Sequence, residues 1–262
     1  MNIIVCLKQV PDSAKIKMNE DGTLIRSGVP AILNPYDHFA LAKALEIKKQ
    51  TGANIKVLSM GPKQAEKVLR FALALGADEG YLLCDKAFAG SDTWATAYAI
   101  SLAVKKIKPF DLVLCGQMAI DGDTAQTGPE LAGQLNIPQI TFCSDIKMKS
   151  SDILEVTKLI EGGYQILEAG LPALITLSTP HGFILPYPSF TDIFKAQQKP
   201  LFVWTPKDIE ADITKLGLSG SPTRVSKIYP PAQKQKGKIF NLSQEDTCLE
   251  IAKLLQANKG AK

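Results

Sequence analysis

A chain of 262 residues, 45% hydrophobic and 21% charged, is long enough for one large domain or two small ones around a sizeable core. Its net charge of +4, from 30 basic and 26 acidic residues, is too small an excess to point to nucleic acid. No apolar run reaches membrane-spanning length, and the N-terminus enters strand-like sequence with no basic, cleavable leader, so no membrane role and a cytoplasmic setting are expected.

The run Asn2-Ile3-Ile4-Val5-Cys6-Leu7 reads as a first strand. Lys15–Arg26 alternates around Asn19-Glu20-Asp21-Gly22, which signals a hairpin. A helix is expected from about Asp37 to Gln50, closing at Gly52. Ile55–Leu58 is the next strand. After Gly61-Pro62, residues Ala65, Val68, Leu69, Ala72 and Leu73 recur at i, i+3, i+4, i+7 and i+8, one face of a helix ending near Gly76. Gly80–Leu83 is a strand, and a helix from about Thr93 to Ile107 stops before Pro109. Leu112–Cys115 is a strand, followed by a helix expected to start near Asp123 and end before Pro138. Gln139–Phe142 is another strand. Short continuous apolar runs suit strands buried on both faces, and their alternation with helices predicts right-handed βαβ units. From Ile153 to Leu177, around Gly162-Gly163 and Gly170, antiparallel strands are expected as additions to this sheet.

The expected architecture is therefore α/β, a parallel sheet with added antiparallel strands over residues 1–200. Beyond it, Pro200, Pro206, Pro222, Pro230 and Pro231 forbid a compact helical domain. Residues 201–262 are expected as an extended C-terminal arm with an amphipathic helix at about Gln244–Gln256. Arg224, Lys227, Lys234, Lys236 and Lys238 give it five positive charges with no acid between them. Either a solvated tail or an arm laid on a partner subunit fits that pattern. The cysteines, Cys6, Cys84, Cys115, Cys143 and Cys248, match neither a zinc site nor a redox pair. The first four lie in apolar runs and are expected as small core residues in a reducing compartment.

Open α/β sheets bind ligands beyond the carboxyl ends of their strands. The junction after Leu112–Cys115 is the most suggestive: Gly116, Gln117, Met118, Ala119, Ile120, Asp121, Gly122, Asp123, Thr124, Ala125, Gln126, Thr127 and Gly128. Asp121, Asp123 and Thr124 are candidates to cap the following helix. Free N–H groups at a helix start attract an anion, and Thr124, Gln126 and Thr127 add neutral donors. The two aspartates put like charge beside such an anion, and a polar loop with capping aspartates is the plainer alternative. Weaker signals lie at Lys8-Gln9-Val10-Pro11-Asp12, Asn34-Pro35-Tyr36-Asp37, Ser59-Met60-Gly61-Pro62 and Ser91-Asp92-Thr93-Trp94-Ala95-Thr96. No Walker A sequence, G-x-G-x-x-G or G-x-S-x-G is present, and the histidines are His38 and His181 alone, both expected as structural or exposed. Few acid–base residues suit redox chemistry, in which a cofactor does the difficult step.

Over nearly its whole length the chain resembles the beta (small) subunit of electron-transfer flavoproteins. The resemblance rests on Val5-Cys6-Leu7-Lys8-Gln9-Val10-Pro11-Asp12, Asn34-Pro35-Tyr36-Asp37, the Gly116–Gly128 junction, Glu161-Gly162-Gly163-Tyr164, Leu171-Pro172-Ala173 and Gly220-Ser221-Pro222-Thr223-Arg224. It implies a Rossmann-like sheet of the adenine nucleotide alpha hydrolase kind and a heterodimer with a larger, FAD-carrying alpha subunit. The beta-subunit pocket would take AMP in simple carriers and a second FAD in bifurcating ones. By the same resemblance it would be lined by Cys6, Asn34, Asp37, Met60, Gly116 and the run Gln117 to Thr127. Asp92-Thr93-Trp94-Ala95-Thr96 resembles the bifurcating group, which adds Asp92, Thr93 and Thr96 and favours FAD over AMP. NADH would then be the hydride donor and ferredoxin or flavodoxin one acceptor. The other electron would pass through the alpha-subunit FAD to a flavin dehydrogenase of acyl-CoA or lactate type. One departure concerns docking: His181–Phe190 lacks the family's Asn-Glu-Pro-Arg-Tyr element and is more apolar, which leaves Phe190, Ile193 and Phe194 as docking candidates. An adenine-nucleotide sensor like the universal stress proteins is the alternative without flavin or larger partner.

Overall fold

Strand β1 (Asn2–Cys6) buries Ile3, Ile4 and Val5 completely, so it needs cover on both faces. It lies inside a nine-stranded sheet in a computed structural model that describes residues 1–12, 17–18, 24–25, 30–184, 186–226, 239 and 241–259. After β1 come a short ladder of β2 (Gln9–Pro11) with β5 (Ala31–Leu33), and the expected hairpin of β3 (Lys17–Met18) with β4 (Leu24–Ile25). The turn of that hairpin, residues 19–23, lies outside the described residues.

Helix α1 (Pro35–Thr51) starts on a proline and ends at Gly52, whose φ of 70° is the left-handed conformation that glycine adopts without strain. Then follow β6 (Asn54–Met60), α2 (Glu66–Leu75), β7 (Glu79–Leu83), α3 (Thr93–Lys106), β8 (Leu112–Gly116) and α4 (Thr127–Leu135). The chain continues through β9 (Gln139–Met148), β10 (Ile153–Ile160), β11 (Gly163–Gly170), β12 (Ala173–Leu177), α5 (Phe190–Ala196) and β13 (Leu201–Trp204). The strand order is β11-β10-β9-β12-β8-β1-β6-β7-β13. From β9 to β13 every neighbouring pair is parallel, while β10 runs antiparallel to both β9 and β11.

Alternate residues of the strands feed two cores. Ile3, Val5, Val57 and Leu114 pack with Phe39 and Leu41 of α1 and Leu69 and Leu73 of α2. Ile4, Leu58, Leu83 and Val113 pack with Ala99 and Ala103 of α3 and Leu131 and Ala132 of α4. The expected α/β class, parallel sheet and added antiparallel strands are all present.

Two expectations are corrected. Strand β12 is not an antiparallel addition: it sits between β8 and β9, parallel to both, with all five of its residues buried as in any interior strand. Cys6 and Cys84 are half-buried rather than core, whereas Cys115 and Cys143 are buried and Cys248 is exposed. Past residue 200, Leu201–Trp204 adds an edge strand beside β7, with Pro200 and Pro206 just outside it, where a strand tolerates proline. One compact unit accordingly spans Met1–Lys227, and a second spans Ile228–Lys262. The second contains helix α6 (Gln244–Lys259). Lys227, Lys234, Lys236 and Lys238 of the basic arm lie outside the described residues. Among the described residues no helix is long and apolar enough to cross a membrane.

Candidate functional site

The chain leaves β1 for β6 and β7 on one side, then returns to place β8 on the other. Open α/β sheets bind ligands at such a reversal, which makes the carboxyl ends of β1 and β8 the candidate site. The loops at this edge are tied together by the first turn of α1. Asp37 is buried, and its carboxylate accepts the Lys8 N–H at 2.7 Å and the Gly116 N–H at 3.1 Å. Burial pushes its pKa up to about 7, against the opposing pull of the Lys8 N–H, the Asn34 amide and the Gly116 N–H. Asn34 is fully buried; its amide donates to Met118 O at 2.9 Å and its side-chain oxygen accepts the Ile120 N–H at 3.2 Å. The Gln117 N–H donates to Leu177 O at 2.8 Å, and the Ser178 hydroxyl donates to the Gln117 side-chain oxygen.

Gly116 is required by this arrangement. A Cβ there would lie 2.3 Å from Asp37 Oδ1 and 2.7 Å from backbone atoms of Tyr36 and Asp37. The missing side chain admits helix α1, which brings Asn34, Asp37 and Gly116–Ile120 together. Cys6 and Met60, at the ends of β1 and β6, are half-buried against the α3–α4 core.

Above this base the turn opens. The Ala119 carbonyl accepts the N–H groups of Gly122 and Asp123 at 3.2 and 2.9 Å. Asp123 and Ala125 have φ of 49° and 53°, in the left-handed region that few L-residues occupy. The helix expected from near Asp123 therefore starts only at Thr127. Nor do Asp121, Asp123 or Thr124 cap it: Gln126 holds the cap position, and no side chain bonds there. Asp121 instead accepts the Lys8 ammonium at 2.7 and 2.9 Å. The N–H groups of Thr127 and Gly128 precede the first helical bond, from Glu130 N–H to Gln126 O at 3.0 Å. Asp121, Gly122, Asp123, Thr124 and Gln126 are exposed, and Ala125 and Thr127 half-buried.

Helix α3 starts beside this turn. Thr93 Oγ1 donates to Glu130 Oε1 at 3.1 Å and lies 3.4 Å from Gln126 Oε1. Burial pushes the Glu130 carboxyl up. Asp92 caps α3 by accepting the Ala95 N–H at 3.0 Å, and also takes the N–H and hydroxyl of Thr223 at 2.9 and 2.8 Å. Burial alone would raise the Asp92 carboxyl, but these donors outweigh it and hold it below the usual carboxylate range. The Asp92 N–H donates to Ser221 Oγ at 2.8 Å, so the Gly220–Arg224 motif is fastened over α3's start. Thr96 is half-buried one turn into α3.

Sequence reasoning placed Lys8 among the weaker junction signals and Thr223 in the family motif without giving either a role at this edge, and it missed Ser178 and Glu130. Ser178 had a signal, since it directly follows a strand; Glu130 had none. Among the described residues no group of His, Cys, Asp and Glu is arranged to hold a metal ion.

The docking candidates lie elsewhere. Phe190, Ile193 and Phe194 are exposed on α5, which is fastened to α2 where Arg70 donates to Ala196 O and Lys199 O at 2.9 and 2.8 Å. The loop before α5 is seated on α1 and α2: Phe183 meets Phe39 edge-on at 4.7 Å, and Tyr187 meets Phe71 at 5.6 Å. Buried His38 donates its Nε2–H to Pro186 O at 3.0 Å, a structural role, while His181 is exposed. Leu185 lies outside the described residues.

A family model for the electron transfer flavoprotein domain matches residues 21–208. The electron transfer flavoprotein subunit beta of Thermoanaerobacterium thermosaccharolyticum is 47% identical, covering 92% of each chain. That of Clostridium acetobutylicum is 44% identical over 98% of each chain. The caffeyl-CoA reductase-Etf complex subunit CarD of Acetobacterium woodii is 44% identical over 92% of each. With a family model spanning most of the first compact unit and relatives of this identity along nearly the whole length, the chain belongs to the electron transfer flavoprotein family, among its beta subunits.

Proposed function

We propose that this chain is the nucleotide-holding subunit of a heterodimeric, bifurcating electron carrier, with FAD at the carboxyl edge of β1 and β8. The observation that carries this reading is the start of α4. Its first N–H groups are left without a side-chain cap, in a chain that caps α3 next door. Uncapped N–H groups at a helix start suit phosphate oxygens, and the Thr124 and Thr127 hydroxyls add donors without charge. Thr93 and Gln126 bring the α3 start beside the same turn, which favours a dinucleotide over AMP. When bound, the flavin supplies the hydride and single-electron chemistry. The chain's own residues orient it: Asn34 and Asp37 fix the turn, Cys6 and Met60 floor the crevice, and Asp92, Thr93 and Thr96 flank it.

The larger alpha subunit would carry a second FAD. NADH would be the donor, and ferredoxin or flavodoxin one acceptor. The second acceptor would be a flavin dehydrogenase of acyl-CoA or lactate type, docked at Phe190, Ile193 and Phe194. The names of CarD and of the acryloyl-CoA reductase electron transfer subunit gamma of Anaerotignum propionicum, 41% identical, support the acyl-CoA type. The apolar His181–Phe190 loop, without the family's acid and arginine, supports another dehydrogenase such as one for lactate. Extended stretches of exposed apolar surface mark interfaces, which suits α5 either way. The heterodimer purified from its native source and analysed for cofactors should yield two FAD and oxidise NADH. One FAD with one AMP would defeat bifurcation and leave a simple carrier; adenine nucleotide without flavin would leave a sensor.

A further inference from the structure

The carboxylates of the Asp121–Asp123 turn oppose any anion at the start of α4, and Lys8 offers an answer. Its backbone is fixed from beneath, because its N–H donates to Asp37 Oδ2 at 2.7 Å. Its ammonium spans the crevice from the β1 side to the β8 side, 2.7 and 2.9 Å from the two oxygens of Asp121. The two side chains are 48% and 34% exposed. A pair this open to water is worth about 1 kcal/mol or less, so it exchanges readily. A dinucleotide's pyrophosphate carries two negative charges in all and more acceptor oxygens than one carboxylate, so it competes with Asp121 for the same ammonium.

We propose that Lys8 is the cation that meets the nucleotide's phosphates, with Asp121 as the resting counter-ion that holds the ammonium at the crevice and yields it on binding. This rests on the nucleotide reading above and deepens it. Asp121 then has a purpose beside an anion site: it keeps a flexible lysine at the crevice without capping the helix that the phosphates need.

The test uses full-chain protein stripped of nucleotide, with AMP and FAD as probes in equilibrium dialysis at low and high salt. Wild type is compared with Lys8→Met, Asp121→Asn and the double variant. Lys8→Met should bind about tenfold more weakly, the loss expected for one charge-assisted hydrogen bond. It should also lose part of the salt dependence. Asp121→Asn should bind as tightly as wild type or more tightly, and the double variant should follow Lys8→Met. All four should unfold at the same temperature, because Lys8 keeps its N–H bond to Asp37. Undiminished binding by Lys8→Met overturns the assignment and leaves the nucleotide reading standing. Recovery of wild-type affinity in the double variant also overturns it, because Lys8 would then only cancel Asp121. If wild type binds neither probe, the nucleotide reading falls and this inference with it.

Discussion

Helices α3 and α4 start side by side at one edge of the same sheet, and the chain treats them in opposite ways. The start of α3 is filled from within: Asp92 bonds the Ala95 N–H and is itself covered by Thr223, brought from 131 residues away. The start of α4 has no side-chain cap, although two aspartates and a threonine stand within six residues of it. Helix starts are ordinarily capped, because their first N–H groups have no helical partner. Helices α1 and α2 also start without a side-chain cap, so it is the position of the α4 start at the carboxyl edge of β8, beside a closed neighbour, that suits the proposed ligand. The backbone keeps that start open through left-handed Asp123 and Ala125, which carry the potential caps past the helix before it begins.

The contrast depends on the base beneath it, and the largest expected effect comes from breaking that base. In Gly116→Ala the new methyl would meet Asp37 Oδ1 at 2.3 Å and α1 backbone at 2.7 Å. Backbone cannot move aside as a flexible side chain can, so a loss of about 3 kcal/mol is expected, read as a lower unfolding temperature. Gly122→Ala is the control: nothing lies within 4 Å of its added methyl, and it should unfold as wild type does.

Asp37 gives the same base a pH signature. Its carboxyl titrates at about 7 in the fold, against about 3.9 for a free aspartate. Between those values the folded chain binds more protons than the unfolded one, so stability falls as pH rises from about 4 to about 7. It levels off above that. Urea unfolding at pH 5 and pH 8 should show the drop in wild type and a smaller one in Asp37→Asn. An equal drop in both would assign the pH dependence to other groups.

The open start is tested more gently by Thr127→Val, which keeps the shape and removes one hydroxyl. Losing a donor to a bound phosphate weakens nucleotide retention by about 1–3 kcal/mol, measured as faster release of bound nucleotide on dialysis. The unfolding temperature of the nucleotide-free chain should stay put, because that hydroxyl makes no hydrogen bond among the described residues.

What was legible in the sequence follows from which signals are local. The interior strands announced themselves because burial on both faces demands unbroken apolar runs, as at Ile3–Leu7 and Leu112–Cys115. The late start of α4 was not legible: nothing in the side-chain pattern at Asp123 or Ala125 marks a left-handed backbone. Asp121 read as a cap because its partner Lys8 stands 113 residues away. Gly116 was legible as the start of the ligand junction, whereas the neighbour that needs the space its side chain would fill is helix α1. Strand β12 was readable as apolar, but insertion between β8 and β9 is a property of topology, not of composition.

The smallest effect lies at the closed start, and it separates capping from binding. Asp92→Ala removes the acceptor of the Ala95 N–H and of both Thr223 donors. A lost helix cap costs about 1 kcal/mol, a shift of a few degrees in unfolding temperature for a chain of this length. Because Asp92 is held below the usual carboxylate range, its contribution is present at neutral pH and fades as pH falls through its folded value. The stability difference between wild type and Asp92→Ala should therefore shrink in acid. Nucleotide retention should change less than in Thr127→Val, because Asp92 already spends its oxygens on the chain. If Asp92→Ala instead released nucleotide and left stability unchanged, the two helix starts would have exchanged roles, and α3 would be the one that faces the ligand.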